Sequence, residues 1–317
     1  MSIFRRDLED FMLYCELTKQ YSENTVRNYR NTLARFATYL DLMKVEQTNM
    51  IDLDIINGYR QYLHKKTTLR KDKMSLKAQA YQIVVVRSFL KFMIKNGALV
   101  LNPENIELPK TRMRRIEFLT DPEIQNLLSL IIKDTSKTLD VIKKRNQALI
   151  LSMFGSGLRL SEVLNLSKKE IDHPDAQLII QGKGGKIRTT FLAPSAIESI
   201  KEYLQVRGED KNPFLFISFS KNNPKKPKIY KSLTPRMVQL MIQSYANQLG
   251  IYKKITPHTL RHSFATKILF AGGDLRSVQT LLGHSSISTT QIYTHITDWQ
   301  IKDLHKKVFG SKNEPPK

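Results

Sequence analysis

Six side chains have types and spacing that could do chemistry together: Arg159, Lys183, His258, Arg261, His284 and Tyr293. Arg159 lies in "SGLRLSE", just past a glycine, with Glu162 three residues on. Lys183 lies in "QGKGG". His258 and Arg261 are three apart in "PHTLRHSFAT", hence on one helix face. His284 follows Gly283, and Tyr293 comes nine residues later in "LLGHSSISTTQIYTH". Two arginines, a lysine, two histidines and a tyrosine suit the attack of a phenol on a phosphodiester. Charge grows on the non-bridging phosphate oxygens in the transition state, and preorganised cations must meet it. Guanidiniums do so bidentately and never lose their charge. A lysine on a hairpin can protonate the leaving 5′-oxygen, and a histidine can take the phenol proton or bond a phosphoryl oxygen. The covalent phosphotyrosine retains the bond energy, so a strand can be rejoined without ATP. No metal or other cofactor is required where cations stand in for it.

Each residue taken alone has an ordinary structural reading. An arginine in a glycine turn is usually solvated, a histidine past a helix end is usually a cap, and a tyrosine at helical spacing is usually core. Their joint occurrence is what favours chemistry. Other chemistries find little support. There is no GxxxxGK[ST] loop, and "GKGGK" is followed by a β-run with no Ser or Thr after its lysine. His258 and His262 have zinc-like spacing, but Thr-Leu-Arg lies between them and no general-base carboxylate is present. His262 and His295 are expected to pack or hydrogen-bond rather than to catalyse.

Helices and one hairpin must hold these groups. In "SENTVRNYRNTLARFATYL", Val26, Tyr29, Leu33, Phe36 and Leu40 recur at helical spacing, and Ser22 can cap the segment. "LKAQAYQIVVVRSFLKFMIKNG" is a second long pattern stopped by Gly97, and helices near residues 4–20 and 53–65 complete the set. "HKKTTLRKDK" reads as a basic loop. "LNPENIELPKTRMRRIEFL" lacks periodicity and reads as a basic linker over 105–117, between a helical domain at 1–104 and a second domain at 118–317. Thr120 and Glu123 in "TDPE" form a capping-box signature. Beyond it, "QLIIQGKGGKIRTTFL" predicts a hairpin with Lys183 at its tip, and "FLFISFS" a further strand. "NNPKKPK" reads as a basic loop, and Pro257 suits the first turn of a helix. The fold class is a helical domain followed by a mixed, mainly helical α+β domain.

Charge points to the partner. The chain has 317 residues with 51 Lys+Arg against 29 Asp+Glu, net +22. Residues 1–110 account for +6 of that and the remainder for +16. Such an excess calls for a polyanion, nucleic acid before an anionic membrane. Cys15 is the single cysteine, so no internal disulfide can form. The start, "MSIFRRDLEDF", has no apolar signal-peptide core, and no run of about 18 apolar residues occurs. The expected setting is a reducing cytoplasm, close to the nucleoid.

The motifs resemble those of the tyrosine recombinase family, especially its Xer and phage-integrase branch. "SGLRLSE" looks like its first catalytic arginine motif, "GKGGK" like its hairpin lysine, "HTLRHSFAT" like its His-x-x-Arg box, and "LLGHSSISTTQIYTH" like its last histidine and nucleophile. The resemblance spans nearly the whole chain and shows no departure at these positions. It implies a SAM-like core-binding domain and a recombinase catalytic domain, with Arg159, Lys183, His258, Arg261, His284 and Tyr293 catalytic and Glu162 buttressing Arg159. It implies cleavage through a 3′-phosphotyrosine, with four protomers synapsing two double-stranded DNA sites. Lys186 and Arg188 beside the hairpin, and Arg27, Asn28 and Arg30 on the second helix, are candidate DNA contacts. The tail carries a stripe of Ile301, Leu304 and Val308, which the resemblance expects to pass between protomers of a homotetramer. A second recombinase or an activating translocase are the further partners it admits. A first helix near residue 4 leaves no room for an arm-binding domain, which favours resolution of chromosome or plasmid dimers. The rivals are integration of a mobile element, relaxation like that of a type IB topoisomerase, and a non-catalytic DNA-binding regulator.

Overall fold

Amphipathic periodicity organises the first hundred residues. In the computed structural model, which describes residues 3–65, 73–109, 117–133, 140–171, 177–182, 185–219, 227–283 and Tyr293, the chain falls into two units, Met1–Met113 and Arg114–Lys317. The first unit holds α1 (Ile3–Leu13), which runs into a π-helical turn at Tyr14–Thr18, then α2 (Glu23–Leu42), α3 (Leu53–Lys65) and α4 (Leu76–Lys95). α2 buries Val26, Leu33, Phe36, Ala37 and Leu40, one face of a 3.6-residue repeat. Its cap differs from the expectation. Ser22 sits at the N-cap position, but its hydroxyl bonds Thr25 Oγ1 at 2.9 Å instead of a backbone N–H. Ser75 does cap α4, accepting from the Ala78 N–H, and Gly97 at φ +80° follows its end. Phe4, Phe36, Tyr59 and Phe89 centre the core. Gln82 ties α4 to α2, accepting from Arg35 Nη1 at 2.8 Å and donating to Thr32 Oγ1 at 3.4 Å. Cys15 is fully buried, and desolvation, then the charge of Glu16, push its thiol pKa up to about 11.

The second unit opens with α5 (Asp121–Lys133), where Glu123 Oε2 accepts the Thr120 N–H at 2.8 Å. α6 (Asp140–Ser156) buries successive residues, Ala148, Leu149 and Ile150, so it is surrounded rather than one-sided. A short α7 (Leu160–Asn165) follows. β1 (Gln177–Gln181) pairs antiparallel with β2 (Ile187–Phe191), registered from Gln177↔Phe191 to Gln181↔Ile187. Then come α8 (Pro194–Arg207), β3 (Ile217–Phe219) and β4 (Pro227–Ser232), the last two antiparallel. Pro227 and Lys228, read in the sequence as the end of a basic loop, open β4 instead. A β-run follows them, and pairing with β3 is a long-range contact that loop composition does not reveal. α9 (Pro235–Gln248), α10 (Pro257–Phe270) and α11 (Leu275–Leu282) complete the described elements. Pro257 does begin α10, behind a Thr256 cap.

Candidate active site

A glycine turn delivers the first arginine. α6 ends at Ser156, and Gly157 turns the chain at φ +64°. A Cβ there would lie 2.4 Å from the Phe264 ring, so the backbone approaches α10 as only glycine can. Arg159 then stands at the N-cap of α7 with Glu162 one turn on. Glu162 Oε2 accepts the Arg159 backbone N–H at 2.7 Å, and Oε1 accepts Arg159 Nη1 at 2.9 Å. Arg188 enters from β2 and donates to the same carboxylate, Nη1 to Oε1 at 2.8 Å and Nη2 to Oε2 at 2.6 Å. Burial by itself would raise the Glu162 pKa. The Arg188 bonds, followed by the Arg159 backbone and side-chain bonds, outweigh that and hold it at about 2.

The end of α11 gathers all three guanidiniums. Arg188 Nε donates to Leu281 O at 3.1 Å, Arg261 Nη2 to Leu282 O at 2.6 Å, and Arg159 Nη2 to Gly283 O at 3.2 Å. Arg261 Nη1 also donates to Gly157 O at 2.5 Å. The last carbonyls of a helix lack partners within it and form the negative end of its dipole. Three consecutive ones therefore offset the mutual repulsion of the cations. Gly283 closes the helix in the left-handed region at φ +63°, and a Cβ there would lie 2.5 Å from Arg188 Cδ. Arg261 is 5% exposed; desolvation first, then Arg159, push its pKa down to about 9, still charged at neutral pH.

His258 sits in the first turn of α10 with an exposed edge. Lost hydration, then the charges of Arg261 and Arg159, lower its pKa, so it is neutral and can accept a proton. Tyr293 is fully buried among Ala265, Leu269, Val278 and Leu282. Its hydroxyl lies 2.7 Å from His262 Nδ1. Burial raises the phenol pKa, with Arg261 pulling the other way. His262 therefore has the hydrogen-bonding place expected of it, and that bond to Tyr293 is a contact the sequence did not disclose. An open cleft of about 860 Å³ beside the arginines is lined by Arg159, Lys186, Arg188, Arg276 and Gly283.

Lys183, His284 and His295 lie outside the described residues, as do Ile301, Leu304 and Val308. Lys186 is exposed. Arg188, expected as a DNA contact, has a side chain only 7% exposed and every guanidinium nitrogen bonded within the protein. One signal for this was available: strand alternation puts Arg188 on the same side as the buried Thr190. In the first unit, Arg27 bonds Asn24, Arg30 bridges Glu9 and Glu16 at 3.1 Å each, and Asn28 is exposed. Among the described residues, no three His, Cys, Asp or Glu side chains are grouped to hold a metal ion, and no helix is long and apolar enough to cross a membrane.

A helical first unit and a small antiparallel hairpin agree with what comparison with known proteins finds. The phage integrase family model matches residues 117–299, and that of the phage integrase N-terminal SAM-like domain matches residues 8–97. This chain belongs to the phage integrase family, and it is a tyrosine-type site-specific recombinase, an enzyme that cleaves and rejoins DNA. Among its relatives, tyrosine recombinase XerD of Listeria monocytogenes serotype 4b is 32% identical, the match covering 95% of this chain and 97% of that protein. Tyrosine recombinase XerC of Lacticaseibacillus casei is 32% identical, over 96% and 98%. The XerH site-specific recombinase bound to palindromic difH substrate shares the fold, with a TM-score of 0.69 and 23% identity over 94% of this chain and 83% of that one.

Proposed function

We propose that Tyr293 is the nucleophile and that Arg159, Lys183, His258, Arg261 and His284 complete the catalytic set, with Glu162 supporting Arg159. The observation that carries this reading is the convergence of Arg159 and Arg261 on the end of α11, beside an open cationic cleft. The Tyr293 oxygen attacks phosphorus, its proton passes to a neutral histidine, the P–O5′ bond breaks, and Lys183 protonates the departing 5′-oxygen. The 3′-phosphotyrosine is then attacked by a 5′-hydroxyl of the partner duplex. The two guanidiniums meet the charge on the phosphate oxygens throughout. A nicked suicide duplex carrying the protein's own site tests this: wild type should form a covalent adduct and Tyr293→Phe none. An adduct formed by Tyr293→Phe overturns the assignment.

Double-stranded DNA is the partner, and the chain's net charge of +22 supports it. Residues 1–104 serve as core-binding domain, 105–117 as linker and 118–317 as catalytic domain. Arg27, Asn28, Arg30 and Lys186 add DNA contacts. The biological role is Xer-like resolution of chromosome or plasmid dimers in the cytoplasm, at the nucleoid. Four protomers assemble by exchange of the tail stripe Ile301, Leu304 and Val308. An apolar groove of about 670 Å³ lined by Leu128, Leu151, Phe154, Phe264 and Ile268, with Glu198 and Glu202 also lining it, supports that docking. Lys302, Lys306 and Lys307 on the tail complement those carboxylates. Truncation after residue 297 should leave DNA binding intact and weaken synapsis; unchanged tetramer assembly on DNA would refute the exchange.

A further inference from the structure

Arg188 has no part in the chemistry described so far, yet its side chain is nearly buried and bonded through all three guanidinium nitrogens. Its guanidinium grips both oxygens of Glu162, and its Nε reaches the α11 carbonyl of Leu281. Each of its three guanidinium nitrogens thus donates within the protein, and its side chain is only 7% exposed. The arrangement is also a matter of charge. Glu162 holds Arg159 through the backbone N–H and Nη1. With that carboxylate alone beside it, Arg159 would form a neutral pair, and its field at a bound phosphate would be largely cancelled. With Arg188 on the same carboxylate, the three groups together carry one positive charge.

We propose that Arg188 is a positioning residue for strand cleavage, the counter-cation that lets Glu162 hold Arg159 in place without cancelling the charge Arg159 presents to the scissile phosphate. The inference rests on Arg159 being a phosphate-binding residue. Arg188 also fixes geometry, because it ties β2 to the end of α11, where Arg159 and Arg261 are anchored. Gly283 permits this, its bare Cα leaving room for the Arg188 stem.

The test is single-turnover adduct formation on a nicked duplex at saturating protein, with DNA affinity titrated over a range of salt. Arg188→Met should slow adduct formation about 100-fold, the scale of a catalytic group misplaced by about 1 Å. Its DNA affinity should stay within about threefold of wild type with an unchanged salt slope, because no phosphate contact is lost. Arg188→Lys should recover part of the rate by keeping the charge. Adding Glu162→Gln to Arg188→Met should raise the rate about tenfold or more over Arg188→Met alone, since the uncompensated carboxylate is gone. A double variant no faster than Arg188→Met makes Arg188 merely structural and overturns the proposal. So does weakened DNA binding with a salt slope reduced by about one and a normal rate at saturation, the mark of a phosphate contact. Should Arg188→Met fail to fold, the same comparison is made between Arg188→Gln, which also removes the charge but keeps a hydrogen-bonding side chain, and Arg188→Gln with Glu162→Gln. Arg159→Ala is the control: normal adduct formation there would overturn the reading of the site itself, whereas its loss alongside a normal rate in Arg188→Met would overturn this proposal only.

Discussion

The proposed nucleophile, Tyr293, is fully buried and cannot touch DNA where it lies. Tyr293 has no solvent exposure, and its hydroxyl is held by His262 Nδ1 at 2.7 Å. Attack needs the phenol oxygen within about 3–3.5 Å of phosphorus, so the side chain must leave this niche first. His262→Phe isolates the hold. The new ring keeps the edge-on packing now seen at 5.8 Å between ring centroids, but it removes the polar partner. A buried phenol left without a partner loses about 1–3 kcal/mol. At about 1.4 kcal/mol per tenfold, the docked state weakens about 5- to 150-fold. Cleavage requires the undocked state, so single-turnover adduct formation on a nicked duplex should rise at least about fivefold. The melting temperature should fall by about 2–4 °C per kcal/mol lost. A rate unchanged or lowered, with Tyr293→Phe inactive as control, would refute the reasoning. A fall of about tenfold or more would make His262 a base serving Tyr293 in place.

Gly283→Ala forces a side chain into the left-handed region and against Arg188 Cδ, so a loss of about 1–2 kcal/mol from the backbone alone and slower adduct formation are expected, read by thermal melting and the same cleavage assay. Stability should also fall with acid in two windows, followed by urea denaturation at stepped pH. Desolvation first, then His258 and Arg261, lower the His262 pKa to about 4, so the unfolded chain binds a proton that the folded one refuses. That contribution is whole above about pH 6.5 and is lost as pH falls toward 4, on the order of 3 kcal/mol in all; His262→Phe should abolish it. Glu162, held at about 2, contributes above about pH 4.3 and loses its contribution as pH falls toward 2. Arg145→Met should cost about 1.5–3 kcal/mol by stripping charged hydrogen bonds from Asn146 and Ile217 O, while the cleavage rate per folded molecule stays unchanged.

Much of the fold was legible because it follows from neighbours along the chain. The periodicity of Val26, Leu33, Phe36 and Leu40 marks a helix whatever it packs on, and two β-rich runs around "GKGG" mark a hairpin. The residue types able to serve a phosphoryl transfer were legible for the same reason, since short motifs carry them. Tertiary structure decided the rest. Ser22 took Thr25 Oγ1 over a backbone N–H, and Pro227 entered a strand because β3 was there to pair. The arginines reach α11 carbonyls that lie 21, 93 and 124 residues away in sequence. The sequence by itself determined which groups are present and on which local elements they ride. Only the packed structure decided that Arg188 faces a carboxylate and that Tyr293 is held by His262. A guanidinium or a phenol takes whichever partner burial brings within about 3 Å, and that choice depends on contacts far along the chain.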